Sequence, residues 1–238
     1  MKKLLLVPMV AIALTSIGAS AASINLRHEF IPEEGDMASR HRDRMTLAHT
    51  FENGIGISGE MKWGYAGDDV NFGEIESVGH EAKISYTYKA TDSFTLQPAY
   101  ALDSSDSAVT HKLDLKGIQK LTDDWNVALR YRYGYKNVSA PSTDNSHYTQ
   151  LNLTSGYNIG DFGLGIDFEY KLEQSDSSGY DGDNNYLNLV NFTAEYKGFE
   201  SGWRPFIELG MVSQNTDLAA DGKDEYVPRY RAGLKYNF

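Results

Sequence analysis

The sequence predicts an all-β protein, a transmembrane antiparallel up-and-down β-barrel of about twelve strands, and three observations predict it. In the last ten residues Tyr230, Ala232, Leu234, Tyr236 and Phe238 share one parity, and Arg229, Arg231, Gly233, Lys235 and Asn237 the other. Successive strand side chains point to opposite faces, so one face is apolar with an aromatic at each end and the other is cationic or small. That is the make-up of a wall between lipid and enclosed water. The same alternation recurs along the chain, with short turns and longer polar stretches taking turns between segments. Composition agrees: 16 Tyr, 10 Phe and 22 Gly stand against six Pro, a balance that favours strands. Mean hydropathy is negative, which suits a wall that offers lipid only every second residue.

The N-terminus has export chemistry. Lys2 and Lys3 precede the apolar run Leu4–Leu14, and Ser16, Gly18, Ala19 and Ala21 lead to a small-residue cleavage site near Ala21 or Ala22. Residues 1–22 are therefore expected to be a signal peptide and residues 23–238 a single barrel domain in a Gram-negative outer membrane. The run is too short for a spanning helix, and no later stretch approaches the roughly 18 apolar residues one needs. The exported chain has no Cys; a closed ring of backbone hydrogen bonds does not require disulfides.

Each strand follows from its parity. The first places Ile24, Leu26, His28 and Phe30 on one face and Asn25, Arg27 and Glu29 on the other. The second turns Met45, Leu47, His49 and Phe51 outward and Arg42, Arg44, Thr46 and Ala48 inward. Glu52-Asn53-Gly54 has hairpin chemistry. The third turns Ile55, Ile57, Met61 and Trp63 out and Ser58, Glu60 and Lys62 in. In the fourth, Val78, Ala82, Ile84, Tyr86 and Tyr88 are expected to meet lipid, opposite Glu81, Lys83, Ser85, Thr87 and Lys89. The fifth has Phe94, Leu96, Pro98, Tyr100 and Leu102 outside, with a bulge expected at Pro98 because it lacks a ladder donor.

The sixth alternates Val109, Leu113 and Leu115 with Lys112, Asp114 and Lys116; its phase breaks at Gly117-Ile118, where another bulge is expected. The seventh is the cleanest: Trp125, Val127, Leu129, Tyr131, Tyr133 and Tyr135 alternate with Asn126, Ala128, Arg130, Arg132, Gly134 and Lys136. The eighth shows Leu151, Leu153, Tyr157 and Ile159 against Gln150, Asn152, Thr154 and Asn158. The ninth shows Phe162, Leu164, Ile166, Phe168 and Tyr170 against Asp167, Glu169 and Lys171. The tenth is irregular, with Val190, Phe192, Ala194 and Tyr196 on one face but Leu187 and Leu189 on the other. The eleventh alternates Trp203, Pro205, Ile207, Leu209 and Met211 with Arg204, Phe206 and Glu208, and the C-terminal strand closes the ring. A soluble sandwich would alternate too, but charged residues in strand interiors with tyrosines at strand ends fit it poorly.

Formal charge is −11, yet position matters more than the sum. Arg27, Arg42, Arg44, Lys62, Lys83, Lys112, Lys116, Arg130, Arg132, Lys136, Lys171, Arg204, Arg229, Arg231 and Lys235 all take inward parity. A cation at the lipid midplane costs roughly 2–4 kcal/mol. Many carboxylates, including Glu33, Asp68, Asp103, Asp106, Asp183 and Asp221, fall in the longer stretches assigned to the outside; Glu29, Glu60, Glu81, Asp114, Asp167, Glu169 and Glu208 point inward. Pairs such as Arg130 with Arg132 then form cationic ladders about 6.7 Å in step, two residues of strand rise. Such a lumen attracts carboxylates repeatedly, each weakly enough to leave.

Leu26-Arg27-His28-Glu29-Phe30, Arg42-Asp43-Arg44 and the ending Pro228-Arg229-Tyr230-Arg231 through Phe238 resemble the oligogalacturonate-specific porin family, which includes a sialic-acid channel. The resemblance implies a narrow monomeric barrel with facing basic tracks that pass acidic oligosaccharides. It carries Arg27, Arg42, Arg44, Arg229 and Arg231 by motif; Arg130, Arg132, Arg204 and the lysines rest on parity alone. Besides acidic oligosaccharides, the expected partners are outer-membrane lipids and the barrel-assembly machinery, the latter through the strand ending in Phe238; no cofactor or nucleic acid is expected. The competing readings are a barrel-embedded hydrolase, for which His28, His49, His80 and His111 lie on outward parity, and a non-conducting structural barrel. Asp181-Gly182-Asp183-Asn184-Asn185 sketches a calcium loop without its later Glu, so no metal site is expected.

Overall fold

The structure, a computed structural model, describes residues 21–33, 39–66, 74–139, 145–173, 185–214 and 225–238. Its strands are β1 (Ala21–Ile31), β2 (Arg40–Thr50), β3 (Ile55–Ala66), β4 (Glu74–Tyr86, continued by Tyr88–Lys89), β5 (Phe94–Ser104) and β6 (Ala108–Lys120). The remainder are β7 (Trp125–Val138), β8 (Ser146–Ile159), β9 (Phe162–Glu173), β10 (Asn185–Tyr196), β11 (Trp203–Gln214) and β12 (Glu225–Asn237). Each pairs antiparallel with its neighbours in sequence, and β1 pairs with β12 from Ser23↔Asn237 to Phe30↔Tyr230. The twelve-stranded sheet is closed and has no free edge.

Burial is inverted relative to a soluble protein. Leu113, Leu129 and Ile207 are more than half exposed on the outer wall, whereas Glu29 and Asn152 are 3 % exposed inside. Cross-strand register carries that division around the ring, and among the described strands no Lys or Arg shares the outward parity. The connections 51–54, 90–93, 121–124, 160–161 and 197–202 fall at one end and the three-residue turn 105–107 at the other; Gly54, with φ +86°, closes the first, where an added Cβ would lie 2.7 Å from the Thr87 carbonyl oxygen.

Irregularities fall elsewhere than the pattern predicts. Pro98 makes no bulge: Ser85↔Ala99 and Tyr88↔Leu96 keep one register, and β4 instead breaks at Thr87, beside the proline that lacks a donor. Gly117-Ile118 makes none either. The ladder runs unbroken through Gly117↔Leu129 and Ile118↔Ala128, and the Phe94 ring covers Gly117 on the outer wall. The bulges lie in β4 and β10. Lys62 pairs with Gly79 and Trp63 with Ser77, so Val78 is the extra residue. It turns into the lumen beside Arg42 and Lys62 rather than to lipid. Gly79 (φ +147°) makes that turn possible, since an added Cβ would lie 2.6 Å from the Ser104 carbonyl oxygen. In β10 Asn188 is the extra residue between Tyr170↔Leu187 and Glu169↔Leu189; it returns Leu187 to the outer face, while Leu189 stays on the lumen face beside Glu169 and Val212.

Candidate functional site

Inward side chains on β11, β12, β1, β2 and β3 form one charged network. Arg231 lies between two acids, its Nε donating to Glu29 at 2.6 Å and a terminal nitrogen to Glu208 at 3.0 Å. Arg229, 7 % exposed, donates to Asn191 at 3.2 Å and stands 4.0 Å from Glu29. Arg27 and Arg44 are direct cross-strand neighbours, an arrangement that repels unless acids intervene. Glu60 does so, 3.8 Å from Arg27 and 3.4 Å from Arg44, while also accepting from Thr46 at 3.0 Å. Glu208 adds a contact to Arg27 at 3.9 Å.

The opposite wall is built from β4 to β9. Arg132 grips Asp114 in a two-point pair at 2.6 and 2.7 Å, the geometry for which a guanidinium is suited. Arg130, one step along, donates instead to Asn152 at 2.7 Å and lies 3.8 Å from Glu169. Lys112 bridges Glu81 at 2.8 Å and Asp103 at 2.6 Å, and Lys62 reaches the same Asp103 at 2.8 Å. Near the mouth Lys171 pairs with Glu173 and lies 4.7 Å from the Tyr148 ring centre. At the other end Lys235 pairs with Glu195 at 2.5 Å over the Phe206 ring, and Arg204 is 3.8 Å from Glu195.

Two cavities open between these walls. One, about 270 Å³, is lined by Arg42, Arg44, Lys62, Asp103 and Lys136; the other, about 210 Å³, by Lys83, Asp114, Lys116, Arg130, Asn152 and Asp167. Among the described residues Arg42, Lys83, Lys116 and Lys136 have no carboxylate within ion-pair distance, and all four line a cavity. These four thus turn uncompensated positive charge towards open space. Nε of Arg27, Arg44, Arg130 and Arg229 likewise finds no acceptor.

The ladder register sets the basic residues of inward parity on one face of the wall, but their settings differ. Arg130 and Arg132 do not form a uniform ladder, because one is locked to an acid and its neighbour is not. Asp103, expected in an outer loop, lies in β5 and holds Lys62 and Lys112 inside. Its parity with Ala99 and Ala101 was the available signal; the run Asp103-Ser104-Ser105-Asp106 masks it with turn composition. Glu195 and Asn191 are further lumen groups that the sequence reading does not name, and the same parity rule finds them. Asp68, Asp221 and the fragment Asp181 to Asn184 lie outside the described residues.

The outer wall holds a second polar group. His28 Nδ1 is 2.7 Å from Asp43, His28 Nε2 is 3.1 Å from His41 Nδ1, and the Tyr65 hydroxyl donates to Asp43. His41 and His147 join the outward histidines, pairing with Phe30 and Tyr135 across the ladder.

Residues 15–238 match the family model described as oligogalacturonate-specific porin protein (KdgM). The chain is 32 % identical to the oligogalacturonate-specific porin KdgM of Dickeya dadantii (strain 3937), over 99 % of this chain and all of that one. A KdgM porin structure is similar with a TM-score of 0.65 at 28 % identity, covering 91 % of this chain and 99 % of that one. The NanC porin shares the fold, with a TM-score of 0.72 at 16 % identity over 90 % of this chain and all of its own. By its full-length match and its closed twelve-stranded wall, the chain belongs to the oligogalacturonate-specific porin family of the outer membrane.

Proposed function

We propose that this barrel is an outer-membrane channel through which anionic oligosaccharides, oligogalacturonate-like in chemistry, diffuse along a basic lumen. One observation carries the reading: Arg42, Lys83, Lys116 and Lys136, without an ion-pair partner among the described residues, all border the two cavities. A related porin was solved in complex with disordered oligogalacturonate, which supports the same substrate class. In this reading Arg42 and Lys136 meet a carboxylate first, and Lys83, Lys116 and Arg130 receive it deeper. Arg27, Arg44 and Arg229 add positive charge to the wall around that path. Asp167, Asn152 and Thr154 border the deeper cavity and accept hydrogen bonds from sugar hydroxyls. Lys62, Lys112, Arg132, Lys171, Arg204, Arg231 and Lys235, each already paired, hold the wall in shape.

The chain acts as a channel and not as an enzyme, in keeping with the porins it is similar to. It works as a monomer, loses residues 1–22 on export, and presents its C-terminal strand to the assembly machinery. The test is reconstitution in planar bilayers and liposomes. Anion selectivity that falls as salt rises, with swelling faster for galacturonate oligomers than for neutral oligomers of equal size, is expected; cation preference refutes the reading.

A further inference from the structure

Most rings of this barrel face lipid, but among the described strands Tyr148, Tyr186 and Phe206 take the lumen parity. Phe206 is 3 % exposed and Tyr186 9 %, so both fill the wall. Tyr148 is only half-buried. Its ring lies over Gly134, its cross-strand partner, where any Cβ would overlap it; a strand glycine marks such a close approach. Lys171 Nζ stands 4.7 Å from the ring centre and pairs with Glu173. An ammonium over a ring marks that face as electron-rich and reachable.

The place of this ring along the pore is informative. From the end with the longer connections inward, the lumen residues of β7 run Lys136, Gly134, Arg132 and Arg130. Lys136 borders the outer cavity and Arg130 the deeper one, about 20 Å apart along the strand. Between them Arg132 is held by Asp114, and Lys112, beside Gly134 in the ladder, is held by Glu81 and Asp103. On β6 and β7 this interval therefore holds no uncompensated cation among the described residues. The Tyr148 ring is what lines it.

We propose, with the channel reading as premise, that Tyr148 is a sugar-stacking platform carrying an acidic oligosaccharide across this interval. The C–H face of one pyranose ring rests on the Tyr148 ring while the carboxylate of the unit above it meets Lys136. Polarised C–H groups complement the negative face of an aromatic ring, and stacking removes apolar area from water. The flexible Lys171 stem lets its ammonium leave the ring while keeping Glu173. An aliphatic dicarboxylate gains from the cations but not from the ring. Tyr148 is thus a specificity-determining residue, separating acidic sugars from other anions where a purely cationic wall treats them alike.

The test is single-channel block in planar bilayers at about 0.1 M salt, by digalacturonate and by diglutamate, which has the same net charge and no sugar ring. Digalacturonate should dwell about fivefold longer than diglutamate in the wild type, the scale of one aromatic contact. Tyr148→Leu should remove that difference by shortening the digalacturonate dwell alone, and Tyr148→Phe should keep it. Lys136→Met should shorten the dwell of both solutes. Equal dwell times in the wild type, or a Tyr148→Leu loss shared equally by both, overturn the proposal. A loss in Tyr148→Phe as large as in Tyr148→Leu overturns it too, in favour of a hydroxyl contact. In each of these cases anion selectivity in salt alone leaves the channel reading standing, whereas cation preference overturns both. Should Tyr148→Leu fail to insert, Tyr148→Met makes the same comparison.

Discussion

Replacing Lys83 and Lys116 together by Met removes two charges from the deeper cavity while keeping most of the side-chain volume. Neither lysine has an ion-pair partner among the described residues, so no buried acid is left stranded. A carboxylate passing about 4 Å from one such ammonium gains about 1 kcal/mol in water-like surroundings and about 4 kcal/mol at an effective dielectric of 20. The lower figure suits a water-filled cavity and amounts to about fivefold per lysine, or about 25-fold for the pair. The assay is single-channel block by digalacturonate at about 0.1 M salt, where the Debye length of about 10 Å leaves the interaction largely unscreened. The matched control is the double substitution Arg132→Met with Asp114→Leu, which deletes an ion pair without changing lumen charge. Block should weaken about 25-fold in the lysine variant and change little in the control. A loss below about twofold in the first, or equal losses in both, would refute the claim that unpaired cations steer the solute.

Other expectations test the framework. Glu29→Gln removes a 3 % exposed acid from Arg231 and Arg229, and should lower unfolding stability by about 3–5 kcal/mol, as breaking one partner of a buried pair does; guanidinium titration measures it. Gly79→Ala places a Cβ against the Ser104 carbonyl and should cost about 1–3 kcal/mol through backbone strain, read as an earlier heat-induced shift in gel mobility. Gly134→Ala puts a Cβ into the Tyr148 ring, which lies flat over that glycine; the ring must swing into the lumen, so single-channel conductance should fall with the fold intact. N-terminal sequencing of the exported chain should begin at Ala22 or Ser23, and a start elsewhere by more than a few residues would revise the signal boundary.

Much of the wall was legible because parity is a local property. Trp125 through Lys136 assigns six outward and six inward residues with no knowledge of neighbours, and the ladder around β7 keeps every one of them in place. Phase failed at Val78 and Leu187, where one extra residue enters a strand and reverses all that precedes or follows it. It also misread the opposite case: Gly117-Ile118 breaks the apolar pattern but not the ladder, because a covering Phe94 ring substitutes for the missing side chain. Asp103 was lost to composition, since a strand end and a turn use the same residues.

From the sequence alone came the closed barrel, its two faces and a basic interior, all consequences of a period of two that each segment states for itself. Tertiary structure alone decided which cations stay free. Arg130 and Arg132 are equivalent in sequence, yet Arg132 grips Asp114 at two points while Arg130 only stands 3.8 Å from Glu169, because β6 sets Asp114 opposite the first and Lys116 opposite the second. Such pairing depends on the register between strands, which no single strand encodes.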